Sequence, residues 1–124
     1  GIKSVFEDIL RNCKSYIGYG PGQQLEKILK YYLKYYSKRR VKEKIKARLV
    51  YDEASRGNIK ERPLSEIRYI PQEFSSYAAL RIYSDKVAIL WLSQFEPLAI
   101  VIKNREIADG YKKYFEIIWK AAKP

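Results

Sequence analysis

Three short stretches hold the residues with the most chemistry in them. Tyr19-Gly20-Pro21-Gly22-Gln23 closes a strand-like run and opens a helix. Glycines at alternate positions leave backbone N–H groups free at a helix start, where the macrodipole favours an anion. The spacing carries neither the Gly-Lys-Ser/Thr of a P-loop nor a G-x-G-x-x-G fingerprint, so it is either an anion site of another kind or only a tight turn. In the second stretch, Asp52 and Arg56 follow the next strand-like run. Arg56 precedes the permissive Gly57 and suits a carboxylate or phosphate, with a plain surface arginine as the alternative. Asp52, Glu53 and Glu73 together could hold a metal for phosphodiester hydrolysis. The third stretch, Lys27 to Arg48, interleaves Lys30, Lys34, Lys38, Arg39 and Arg40 with Tyr31, Tyr32, Tyr35 and Tyr36. Cations for phosphates and rings for bases are what single-stranded nucleic acid binders use, although a solvated helix face has the same composition.

The residue types that are missing narrow the chemistry. There is no His and one Cys, Cys13, so the usual zinc sites and His-assisted nucleophiles drop out. A lone cysteine and the lack of a leader fit the cytoplasm, and no apolar run is long enough to cross a bilayer. With no Met, Gly1 follows either a removed initiator or an upstream segment. The 25 Lys and Arg outweigh the 14 Asp and Glu by 11, which favours a polyanionic partner or a surface solvated by lysine.

The elements that must position these residues read as one α/β domain, with a mixed central sheet and helices packed on it. Residues 1–12 form an amino-terminal amphipathic helix, with Ile2, Val5, Phe6 and Ile9 on one face, and this helix suits the continuation of an upstream one. Residues 13–124 form the sheet domain. Strands are expected at Ser15–Gly20, Ile45–Tyr51 and Glu66–Ile70, the first two joined by a helix over 23–38 and all parallel. Their carboxyl ends then share a rim, which is where open α/β sheets bind ligands. Tyr19, Gly20, Gly22, Gln23, Asp52 and Arg56 are the candidate ligand residues there. Arg39 to Lys44 reads as a polar bend, and the polar segment from Asp52 to Pro63 as a loop or short helix.

Tyr77–Tyr83 and Lys86–Leu92, joined by Ser84-Asp85, read as an antiparallel hairpin. The apolar runs Lys86–Leu92 and Pro97–Ile102 read as strands buried on both faces, in the middle of the sheet. The last helix is capped by Asn104 and has Ile107, Tyr111, Tyr114, Phe115, Ile118 and Ala122 on its core face.

Asp85-Lys86-Val-Ala-Ile-Leu-Trp91, Pro97-Leu-Ala-Ile-Val-Ile102 and the closing Tyr111-Lys-Lys-Tyr-Phe-Glu-Ile-Ile-Trp119 resemble the phospholipase-D-like effector domain of archaeal TrmB-type transcriptional regulators. Phe6-Glu-Asp-Ile-Leu10, Ile17-Gly-Tyr-Gly20 and Ala54-Ser-Arg-Gly57 agree with it. The resemblance implies a phospholipase-D-like half and a DNA-binding winged helix upstream. Phospholipase D enzymes carry H-x-K-x-x-x-x-D; with Asp85 placed on its Asp, Ala78 falls on the nucleophile and Leu80 on the Lys, so the resemblance implies a scaffold without catalytic residues.

The function expected is therefore a non-catalytic effector-sensing or dimerisation domain of an archaeal regulator. It would be homodimeric, bind a small-molecule effector at the strand-end rim, and reach DNA through the upstream segment. It needs no cofactor or metal and no membrane. The alternative is a free-standing nucleic-acid-binding protein that uses Lys30, Lys34, Lys38, Arg39 and Arg40.

Overall fold

The computed structural model describes residues 1–59 and 63–124. Helix α1 (Ile2–Asn12) leads into β1 (Ser15–Gly20), and α2 (Gly22–Ile28) and α3 (Lys30–Lys42) lead into β2 (Lys46–Asp52). After a 3₁₀ turn at Glu53–Ser55 come β3 (Ser65–Ile70), a second such turn at Gln72–Phe74, and β4 (Ala78–Tyr83). The chain closes with β5 (Lys86–Trp91), β6 (Leu98–Lys103) and α4 (Arg105–Ala121). Residues 60–62 of the expected polar loop lie outside the described residues.

All six strands form one mixed sheet in the order β3-β2-β1-β4-β5-β6. β1, β2 and β3 are parallel, and β4, β5 and β6 each run antiparallel to the strand before. Because side chains alternate across a strand, β1 to β5 each feed two cores. On one face α1, α2 and α3 bury Phe6, Ile9, Leu25, Leu33, Leu49 and Leu90. On the other, α4 alone packs Phe115 and Trp119 over Val50, Leu80, Ile82 and Val87. The whole apolar face of α1, from Ile2 to Leu10, is spent in the first core.

Three expectations from the sequence need correction. The helix over 23–38 breaks at Leu29, whose φ of −117° and ψ of 33° are not helical, and then continues to Lys42. Most of the expected polar bend is thus helix. Its reason is Arg40, which is 1 % exposed and donates to Ile45 O (2.7 Å), Pro63 O (2.5 Å) and Ser65 Oγ (3.0 Å). On α4 the inward residues are Ala108, Phe115 and Trp119, with Tyr111, Ile118 and the C-cap Ala122 packed on the same core as expected, while Ile107 and Tyr114 face water. The Asn104 cap is present, its Oδ1 accepting from Ile107 N at 2.9 Å.

The third correction concerns β6. It is the edge of the sheet, and Leu98, Ile100 and Val101 are 51, 49 and 47 % exposed. The hairpin forms as expected, with Tyr83 opposite Lys86 and Ser84 taking a positive φ of 51° in the two-residue turn.

Candidate functional site

β1, β2 and β3 end side by side, Gly20 beside Tyr51 and Asp52 beside Ile70, which makes the expected rim. Beneath the last turns of α4 this rim opens into a cavity of about 590 Å³. Tyr19, Gly20 and Asp52 line it, and Ile70, Phe74, Ala78 and Ile118 supply much of its apolar wall. Burial pushes the Tyr19 phenol above its ordinary value, and the neighbouring Tyr111 adds to the shift, so the ring enters the cavity as a neutral group.

Asp52 anchors the rim. Its Oδ1 accepts a hydrogen bond from Ser55 Oγ, and its Oδ2 accepts from Ser75 Oγ (2.7 Å) and Gln72 Nε2 (3.2 Å). One buried carboxylate thus joins the end of β2 to the segments after β2 and β3 that wall the cavity. Satisfying a buried charge with several donors is the condition for keeping it out of water.

The start of α2 does not offer the vacant anion cradle that the glycines suggested. Gln23 N donates to Ser55 Oγ at 3.3 Å, and Ser55 in turn donates to Asp52, so negative charge already stands behind that helix start. Gly22 packs against Tyr51 and Ser55, where a β-carbon would lie 3.1 Å from each. Gly22 and Gln23 frame the rim and do not line the cavity. Arg56 is likewise engaged elsewhere: it pairs with Glu53, donates to Pro124 O (3.0 Å), and sits 4.1 Å from the Tyr69 ring centroid. Among the described residues no three of His, Cys, Asp and Glu gather to hold a metal, which removes the Asp52, Glu53 and Glu73 cluster.

No family model matches the chain, and no curated protein matches it in sequence. A solved structure matches it in fold. The fold resembles that of TrmBL2. TrmBL2, an archaeal chromatin protein with a novel mode of DNA binding, superimposes with a TM-score of 0.65 at 12 % identity over 98 % of this chain. The chain spans 49 % of the TrmBL2 chain.

Within this TrmBL2-like fold the basic surface is smaller than its sequence. Lys30, Lys34 and Lys38 of α3 are exposed beside Tyr31 and Tyr35, but Arg40 is buried among backbone carbonyls and cannot reach a phosphate. Arg39 donates to Tyr35 Oη at 2.9 Å. Tyr36 is in the core and Tyr32 donates to Glu7.

A second cavity, of about 710 Å³, lies at the opposite, amino ends of β1–β3 and has no counterpart in the sequence reading. Arg48 crosses its wall to grip Glu116 through two hydrogen bonds of 3.0 and 2.6 Å. That contact holds the Glu116 carboxyl below its ordinary value. The pairing spans 68 residues of chain, and no local pattern announces it. Among the described residues no helix is long and apolar enough to cross a membrane.

Proposed function

We propose that this chain is a non-catalytic effector-binding and self-associating domain, which in a longer regulator changes how DNA-binding segments are held. The observation that carries the reading is the strand-end cavity. Its walls are mainly apolar with a few fixed polar groups, the usual build of a small-molecule site. Ala78, which falls on the nucleophile position of the phospholipase-D-like pattern, lies on that wall, and Leu80, at the Lys position, is buried in the core. Those positions support the reading of a ligand site without the groups that would attack a ligand. A fold shared with half of a DNA-binding protein's chain supports the link to DNA. An effector acts here only through its differential affinity for two arrangements of the protein.

The test is a screen of monosaccharides and small fragments by amide chemical-shift perturbation. Shifts clustered on Tyr19, Ile70, Ser75 and Ala78, and lost when Ala78→Trp fills the cavity, are the expected result. Hits that gather elsewhere, or that survive Ala78→Trp, contradict the reading.

The net charge of +11 and the exposed Tyr31 and Tyr35 favour a second reading, direct nucleic-acid contact through Lys30, Lys34 and Lys38.

A further inference from the structure

The run Leu98–Ile102 has the sequence of a central strand and the position of an edge. Between Pro97 and Lys103 there is no charged residue, although natural edge strands are commonly blunted with lysine, proline or a bulge. Both faces of β6 are apolar and half-exposed. On the α4 side, Leu98 stands opposite Trp91 and Ile100 opposite Ile89, while Val101 points to the other face beside Ala88. Tyr77 extends the patch by an edge-to-face contact with Trp91, centroids 5.8 Å apart.

We infer that β6 pairs antiparallel with β6 of a second copy of this chain, about a two-fold axis at Ile100, giving one twelve-stranded sheet. This deepens the self-association in the proposed function and rests on that part of the reading, but it is independent of the effector. An axis perpendicular to the sheet keeps both α4 helices on one face and sets Leu98 opposite the partner's Ile102, so apolar groups meet apolar groups on each side.

Charge selects the same pairing. Glu96, two residues before β6, falls opposite the partner's Asn104 and so between its Lys103 and Arg105, whereas a parallel arrangement would set like charges together. Tyr77, Trp91, Leu98, Ile100 and Val101 are each about half exposed, and together with the free backbone edge they offer a partner the apolar surface from which an interface of the standard about 800 Å² per partner is built.

The experiment is sedimentation equilibrium of the wild-type chain and of Ile100→Lys, with circular dichroism as a check of folding. The expected result is a wild-type dimer and a folded Ile100→Lys whose dissociation constant rises roughly a hundredfold or more. A second variant, Ile100→Cys with Cys13→Ser, should cross-link to itself on oxidation. A dimer that persists in Ile100→Lys and does not cross-link overturns this surface and leaves self-association through another. A wild-type monomer overturns both, while the strand-end cavity is judged separately by its ligand.

Discussion

The Cδ of Arg81 lies 2.8 Å from the point where a β-carbon on Gly18 would stand, and the Leu80 carbonyl oxygen lies 2.3 Å from it. Arg81 on β4 lays its buried side chain across the bare backbone of β1, donating to Tyr19 O (3.3 Å) and Leu80 O (3.0 Å). Gly18→Ala is therefore expected to destabilise the fold by about 3 kcal/mol or more in urea unfolding. Adding Arg81→Ala should not restore it, because the clash with the Leu80 carbonyl is with backbone.

Arg40 and Lys34 lie on the same helix but should behave differently. Arg40→Met leaves the Ile45 and Pro63 carbonyls without their donor and is expected to cost about 2–4 kcal/mol. Lys34→Ala, on the exposed side, should fall within about 0.5 kcal/mol of wild type. Equal effects in urea unfolding would contradict the burial of Arg40.

Removing the Asp52 carboxylate should loosen the rim as a unit. Asp52→Ala strands the hydroxyls of Ser55 and Ser75 and the amide of Gln72, at an expected cost of about 2–3 kcal/mol. Hydrogen exchange in the segment 71–76 should accelerate, while β5 amides retain their protection.

Acid should unfold the protein partly through Asp8. Burial opposes ionisation of its carboxyl, yet hydrogen bonds from Lys86 Nζ (2.6 Å), Tyr83 Oη (2.8 Å) and Asn12 Nδ2 (2.5 Å) hold it below its ordinary 3.8. A lowered folded-state value means the unfolded chain takes up the proton more readily. The contribution is therefore complete above the ordinary value and is lost as pH falls through the folded one. Stability should hold above about pH 5 and decline below about pH 4, and Asp8→Asn should lower it at neutral pH and flatten the decline. Glu116, also lowered, adds less because it is nearly half exposed.

Burial pushes the Cys13 thiol from 9.0 up to about 11. Its alkylation by iodoacetamide at neutral pH should run roughly a hundredfold slower than that of an exposed cysteine, and urea should remove the difference.

Much of the fold was legible in local patterns. The apolar spacing of α1, the Asn104 cap of α4 and the Ser84-Asp85 turn each depend on residues within a few positions, so the chain itself announces them. The rim was legible for the same reason, since three parallel strands must end together. What the sequence concealed depends on partners far along the chain. Arg40 reads as surface until the Pro63 carbonyl is placed beside it, Arg56 reads as free until the Tyr69 ring and the Pro124 carbonyl claim it, and Arg48 and Glu116 meet only in the fold. β6 was misplaced because an apolar run reports that both faces need cover without saying which molecule supplies it.

The proposed function makes this chain an effector-responsive scaffold and leaves DNA contact to other segments of a regulator. Fluorescence anisotropy of a labelled DNA duplex and of a single strand, titrated with the chain at low salt and at about 150 mM, tests it most directly. The expected result is weak binding that vanishes near physiological salt, with little change when Lys30, Lys34 and Lys38 are replaced by Glu. Tight binding that survives about 150 mM salt and is abolished by that triple substitution would contradict it and make the α3 surface the functional site.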